Sequence, residues 1–277
     1  MDFSLLGHMS LCAFGVTLPP AAPKPRQALA LLLMEANQVV SVPTLIREIW
    51  DEAPPRSVLA TMQTYILQLR KMLAAGLRVQ PSQVSSRLLV TKDGGYVINT
   101  DPGTIDVFRF EQLARQGRAA LARSENELAT RTLREALALW RGEAFVDIRT
   151  GPMLQGHLVR LEEARLAALE YRIEADMRMG RHHELLPELA YLTAQHNLHE
   201  SLHAQLMVAL YRSGRRSEAL DVFRRMRTRL IDQIGLEPSL RMQQVQRAIL
   251  AADPILDCPC PHSALAADRF THPLVAS

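Results

Sequence analysis

Cysteine is scarce in this chain. Three in 277 residues, Cys12, Cys258 and Cys260, are too few and too odd in number for a disulfide framework, and that usage fits a reducing cytoplasm. Long hydrophobic runs are missing as well. The longest near the start, Ala28 to Met34, is far below the roughly 18 residues that cross a bilayer, so no membrane span is expected. The apolar opening MDFSLLGHMSLCAF has no basic segment ahead of it and no small-residue cleavage pattern; it reads as strand, not as a signal peptide. The signatures of catalysis are also wanting: there is no GxxxxGK[ST] run, no GxSxG elbow and no HExxH helix, so neither an enzyme nor a bound cofactor is expected. His199 and His203 are four apart, a spacing compatible with a metal, and His182, His183 and His196 lie near them in sequence. No carboxylate motif accompanies them, and they read as surface or packing histidines. Cys258-Pro259-Cys260 with His262 is a poor metal site, because a proline separates the thiols and no second cluster follows at zinc spacing.

Excess charge is small, and it is localised. The net charge is +3. Residues 1–100 hold 9 Lys/Arg against 6 Asp/Glu, whereas residues 101–277 hold 23 of each. The whole excess therefore sits in the first hundred residues, which points to an anionic partner for that part. With 48% apolar and 22% charged residues the chain is otherwise an ordinary globular one, long enough for one or two domains.

What is present is organised around Ser57 to Leu73, SVLATMQTYILQLRKML. At about 100° per residue, Val58, Met62, Tyr65, Ile66, Leu69 and Leu73 fall on one side of a helix. Thr61, Thr64, Gln68 and Lys71 form a second stripe, roughly 80° wide, most of the way round from the first. The apolar stripe suits a core. The other suits a major groove, where hydroxyls and amides read base edges and a lysine sits on phosphate. An ordinary amphipathic surface helix would carry the same pattern, so the neighbouring segments decide.

Ahead of it, Phe3 to Leu6, Met9 to Phe14 and Val16 to Leu18 are short apolar runs broken by Gly7 and Gly15, as in a small antiparallel sheet. Pro19 to Pro25, with four prolines, is expected to hold no regular structure. Arg26 to Ala36 reads as a buried helix stopped by Asn37. Ser41 can cap a second helix carrying Leu45, Ile46, Ile49 and Trp50, with Pro43 in its first turn, and Pro54-Pro55 ends it. Behind the Ser57 helix, Leu88 to Ile98 reads as a hairpin turning at Asp93-Gly94, with Lys92 beside the tip. Strands, three helices with a polar-faced third, then a hairpin, make a winged helix-turn-helix.

Asp101, Pro102 and Gly103 mark a boundary. Helices are expected over roughly 106–122 and 125–140, the second capped by Ser124 with Glu127, and a long one over about 154–179. Met179-Gly180-Arg181-His182-His183-Glu184-Leu185-Leu186 aligns with Ser213-Gly214-Arg215-Arg216-Ser217-Glu218-Ala219-Leu220 at an offset of 34 residues, the tetratricopeptide period. Residues 253–277 lose periodicity and are read as a disordered tail. The expected fold is thus mainly α with a small β component: a winged helix-turn-helix over 1–100, expected to fold by itself, and a tetratricopeptide-like helical domain over 101–252.

Ala36-Asn37, Val40-Ser41, Leu45-Ile46, Trp50, Pro54-Pro55, Gln63-Thr64-Tyr65-Ile66, Leu69-Arg70-Lys71 and Gly94-Gly95-Tyr96 together resemble the Streptomyces antibiotic regulatory protein family. These are transcriptional activators of antibiotic gene clusters, and their winged helix is similar to that of response regulators. The resemblance continues at Asp106, Phe108, Phe110, Ala136-Leu137-Ala138-Leu139-Trp140-Arg141-Gly142, Ala209-Leu210-Tyr211-Arg212-Ser213-Gly214-Arg215 and Gly235-Leu236-Glu237-Pro238. It implies a bacterial transcriptional activation domain over 101–252, pairs bound to direct repeats in promoter DNA as a homodimer, and recruitment of RNA polymerase; the nucleotide-binding module of longer relatives is absent. The matching helix makes Thr61, Thr64 and Gln68 candidates for base edges or the groove floor. Arg56, Arg70 and Lys71 are phosphate candidates, with Lys92 on the wing and Lys24 and Arg26 at the start of the first helix. Where the family often carries a basic residue, this chain has the amide of Gln68. A protein-binding adaptor with the same folds, and a repressor with the same DNA contacts, are the alternatives.

Overall fold

A computed structural model describes residues 1–18 and 21–257 of the chain. Helices dominate them, with two small three-stranded sheets. Two compact units are formed, one from residues 1–115 with 135–167 and the other from residues 116–134 with those from 168 onward.

The first unit begins with β1 (Asp2–Ser4), β2 (Ser10–Ala13) and β3 (Val16–Thr17), antiparallel in that order. Phe3, Leu11 and Ala13 point inward, as the alternating pattern of a half-buried sheet requires. Helix α1 (Pro23–Met34) starts earlier than the proline content predicts. Pro23 and Pro25 occupy its first turn, where amides have no intrahelical acceptor and the fixed φ of proline suits the helix. Pro19 and Pro20 lie outside the described residues. Ala28 to Leu33 are fully inaccessible, so α1 is the core itself, enclosed by the helices that follow. Asn37 stops the chain as expected, in the left-handed region at φ 66°, where its side chain donates to Thr100 O at 2.9 Å and accepts the Thr100 amide at 3.0 Å.

Strand β4 (Val40–Ser41) leads into α2 (Val42–Trp50), and the Ser41 hydroxyl accepts the Thr44 amide at 3.2 Å. Helix α3 (Val58–Leu77) runs one turn beyond the expected Leu73. Both α2 and α3 pack on α1. A short helix, α4 (Pro81–Gln83), and a π-helical turn over Val84–Leu88 deliver the chain to β5 (Leu89–Lys92) and β6 (Gly95–Ile98). These form the expected hairpin about Asp93-Gly94, and β4 adds to the far side of β6. A Cβ on Gly95 would lie 2.3 Å from Val40 O, so only glycine lets these strands approach.

Helices α5 (Asp106–Ala122), α6 (Asn126–Ala138), α7 (Pro152–Arg178), α8 (His182–Gln195), α9 (Glu200–Arg212), α10 (Arg216–Ile234) and α11 (Leu240–Ala251) complete the order. Ser124 does not cap α6; it sits at φ 61° with its amide on Leu121 O at 3.0 Å, closing α5 instead. The 34-residue repeat is structural. Gly180 and Gly214 take φ of 77° and 75° at equivalent helix ends. The amides of Arg181 and Arg215 bond to Asp176 O and Leu210 O at 3.0 and 2.9 Å, which is the left-handed helix stop that admits glycine. Stacked pairs then bury one another, with α8 and α10 on either hand of α9 in the contact order. Of the expected tail, Pro254–Leu256 forms a 3-10 turn with Leu256 fully buried. Cys258, Cys260, His262 and the rest of 258–277 lie outside the described residues.

Residues beyond 100 complete the winged helix. The Asp106 carboxylate accepts the amides of Leu5 and Leu6 at 2.8 to 3.1 Å, and Asp147 accepts the Met9 amide at 2.8 Å. Phe110, fully buried, meets Trp140 edge-on at 5.4 Å. Compactness therefore divides the chain differently from composition, and the expectation that residues 1–100 stand alone meets a unit that also includes 101–115 and 135–167.

Candidate nucleic-acid interface

Helix α3 separates its two faces as the sequence pattern requires. Met62, Ile66, Leu69 and Leu73 are buried, which fixes the rotation of the helix about its axis. Thr64, Gln68 and Lys71 are exposed on the outer face. Thr64 Oγ1 donates to Ala60 O at 2.9 Å, so its remaining lone pairs are free to accept. Gln68 has no hydrogen-bond partner among the described residues, leaving its donors and acceptor open. Thr61 stands at the edge, half-buried, with its hydroxyl donating to Ser57 O at 3.0 Å. The exposed face is wider than the four-residue stripe. It also carries Gln63 and the apolar Leu59 and Leu67, 60% and 50% exposed. Helical arithmetic could have found Gln63 and Leu67, which fall on the same half-cylinder; looking only for polar residues passed over the leucines. An exposed leucine there can meet a thymine methyl.

Two braces hold this face. Trp50 of α2 stacks on Tyr65 of α3, with ring centroids 5.8 Å apart and planes 10° apart. Lys24 Nζ lies 4.9 Å from the Trp50 ring centroid, a cation–π contact that ties the start of α1 to the same stack. The second brace is Arg70, whose Nε donates to Leu89 O at 2.9 Å and whose terminal nitrogen donates to Thr91 Oγ1 at 2.8 Å. Burial lowers the Arg70 pKa from its ordinary value. Arg70 thus fixes the hairpin to α3.

Arg26 is likewise engaged. It pairs with Asp147 at 2.8 Å and donates to Ala21 O at 3.0 Å, with only 16% of its side chain accessible. That geometry removes Arg26 from the free cations expected at the start of α1. Arg56, Lys71 and Lys92 are exposed and carry neither an ion pair nor a side-chain hydrogen bond among the described residues. Arg47 on α2 and Arg87 ahead of the hairpin are exposed and unpaired in the same way, and the sequence pattern did not single them out. A helix face of hydroxyls, amides and exposed leucines without an acidic residue, edged by cations that have no carboxylate of their own, is chemistry for a duplex with phosphates on either side of a groove.

Elsewhere, His199 Nε2 is 3.2 Å from Glu170 and His203 is buried. Among the described residues no three His, Cys, Asp or Glu side chains group as a metal site, and no helix is long and apolar enough to cross a membrane.

The fold and this face define a winged-helix, DNA-binding transcriptional regulator. Residues 19–98 match the family model described as transcriptional regulatory protein, C terminal, and residues 105–250 match the bacterial transcriptional activator domain. With both domains in that order, the chain belongs to the Streptomyces antibiotic regulatory protein family. It is 46% identical over 257 residues to regulatory protein DnrI of Streptomyces peucetius, covering 93% of this chain and 94% of that one. It is 37% identical to the transcriptional regulator RedD of Streptomyces coelicolor, over 94% of this chain and 73% of the relative. Against regulatory protein AfsR of Streptomyces coelicolor it is 40% identical over 92% of its own length, but spans only 25% of that longer protein. A solved structure of Mycobacterium tuberculosis EmbR, in complex with a low affinity phosphopeptide, superposes with a TM-score of 0.86 at 33% identity, over 91% of this chain and 65% of that one.

Proposed function

We propose that this protein activates transcription of a secondary-metabolite gene cluster of the antibiotic type, as a homodimer on direct repeats in promoter DNA that recruits RNA polymerase. Residues 1–100 supply the DNA contacts and residues 101–252 the dimer and polymerase contacts. Helix α3 enters the major groove, with Thr64 and Gln68 toward base edges and Thr61 at the margin. Arg56, Lys71 and Lys92 take phosphates, Lys92 from the wing. Lys24 reaches the backbone beside Trp50, while Arg26 and Arg70 position the elements that do the reading. The work is done in the cytoplasm, by binding and not by catalysis.

The observation that carries this reading is the exposed face of α3, where Thr64 and Gln68 stand among Leu59, Gln63, Leu67 and Lys71 with no acidic residue, braced to the hairpin by Arg70 and bordered by cations with no internal partner. The similarity to DnrI and RedD, both named as regulators, supports the assignment to pathway control.

The test is footprinting on the promoters beside its own gene, joined to a reporter. Two protected segments in the same orientation, with raised transcription, are expected. Protection with lowered transcription would make it a repressor. Absence of protection on any duplex would favour an adaptor that binds protein.

A further inference from the structure

Helix α10 carries four arginines between Arg224 and Arg229. Arg224 pairs with Asp221, and Arg227 pairs with Glu237 at 2.7 Å. Arg225 and Arg229 have no such carboxylate among the described residues. They are four apart and so share one face of the helix, where like charges repel. Both line a cavity of about 220 Å³ formed by α8, α9 and α10. Val222, Leu206, Thr193 and His203 line it too, and no acidic residue does.

His203 is 5% exposed, and neither of its ring nitrogens makes a hydrogen bond of good geometry, the Asn197 backbone being its one loose polar neighbour in the protein. Burial, and then the nearby Arg229, lower its pKa to about 4. At neutral pH the ring is therefore uncharged, with one N–H to donate. Thr193 spends its own hydroxyl proton on Leu189 O at 2.8 Å. The donors that face the cavity are therefore those of Arg225, Arg229 and His203, and its lining supplies no anion. Water takes about 30 Å³ per molecule, so this space exceeds a single water several-fold; Arg225 is exposed at its mouth and Arg229 half-buried, and neither guanidinium is held in an ion pair among the described residues.

We propose that this cavity binds a small molecule through an oxyanion group, a carboxylate or a phosphate, held by Arg225 and Arg229 with the His203 N–H donating. Two guanidiniums offer planar forks of donors that match such a group. Apolar Leu206 and Val222 would meet the remainder of the molecule. This site is separate from the DNA-facing elements and does not depend on the reading given for them.

The experiment titrates the full chain with inorganic phosphate and, separately, with citrate, each matched in ionic strength with sodium chloride, by calorimetry and by NMR of the histidine rings. Saturable one-to-one binding of at least one of them is expected, with the His203 ring resonances moving along the same curve. The two arms distinguish a phosphate ligand from a carboxylate. The double substitution Arg225→Gln/Arg229→Gln should weaken binding at least tenfold. Arg225→Lys/Arg229→Lys, which keeps the charge, should recover part of it. Lys71→Ala/Lys92→Ala, which alters only the DNA-facing surface, should keep the site. No saturable binding of either anion to the unaltered chain, with unmoved His203 resonances, would overturn the proposal. So would binding lost in Lys71→Ala/Lys92→Ala and kept in Arg225→Gln/Arg229→Gln.

Discussion

Glu48 Oε1 accepts the Gly151 amide at 2.7 Å, and a Cβ on Gly151 would stand 2.1 Å from the Glu48 main-chain oxygen. The same carboxylate accepts the amides of Met153 and Leu154 at 2.8 and 3.3 Å. A residue of the helix-turn-helix thus caps a 27-residue helix that begins 104 positions later. The first amides of α7 need acceptors, and the positive end of its dipole favours an anion. Glu48 is 2% exposed, so its carboxylate is tolerated only because these amides, and more weakly Gln27 Nε2 at 3.4 Å from Oε1, surround it; Gln27 Nε2 also donates to the Glu48 main-chain oxygen at 2.7 Å.

Removing either partner should therefore cost stability. Glu48→Ala leaves buried amides without an acceptor and is expected to destabilise by roughly 2–3 kcal/mol. Gly151→Ala should cost about 1–3 kcal/mol by overpacking. A fragment of residues 1–100 loses Gly151, Asp106 and Asp147 together, and should melt well below the full chain. Urea and thermal unfolding followed by circular dichroism would check all three; a fragment as stable as the whole would dismiss the joint.

Base reading should be concentrated in the exposed part of α3. Thr64→Ala and Gln68→Ala should each weaken binding at specific sites by about 1–3 kcal/mol, with non-specific binding largely kept. Thr61→Ala should do less, because that hydroxyl is half-buried and donates to Ser57 O. Quantitative gel-shift on the operator and on an unrelated duplex separates these. Wild-type affinity in both Thr64 and Gln68 variants would remove this helix from the groove.

Phosphate contacts should divide by whether the cation has an internal partner. Lys71→Ala and Lys92→Ala should each reduce the slope of log affinity against log salt by roughly one unit. Arg26→Ala should leave the slope unchanged and lower the melting temperature, since its guanidinium is held by Asp147. The opposite pattern in a salt titration would reverse the assignment.

His203 sets a pH dependence. Its native pKa is lowered to about 4 from an ordinary value of 6.5. Between those values the unfolded chain binds one proton more than the native chain. Stability therefore rises with pH through that window, and on acidification it falls, the loss being complete below the native pKa. The full loss amounts to about 3 kcal/mol, of which roughly 2 kcal/mol is gone at pH 5. Urea midpoints of the helical signal should drop between pH 7 and 5, and should drop less in His203→Gln. Equal drops in the two proteins would mean that His203 is not the group responsible.

What local periodicity controls was legible in the residues. The buried stripe of α3, the hairpin at Asp93-Gly94, the Ser41 cap and the 34-residue repeat all arise from interactions within a few turns or one hairpin, so spacing alone exposes them. The fate of each cation was not legible. Arg26, Arg70 and Lys71 are alike in sequence. Only packing delivers Asp147 to the first and the Leu89 carbonyl to the second, and leaves the third bare. Likewise, nothing near Glu48 in the chain announces the amides of α7, and nothing near His203 announces Arg225 and Arg229. Helical phase and turn chemistry are properties of adjacent residues, which the sequence by itself determined. Which charge meets which donor across a hundred residues was decided by the tertiary structure, because burial alone sets that choice, through the cost of leaving a polar group unpaired.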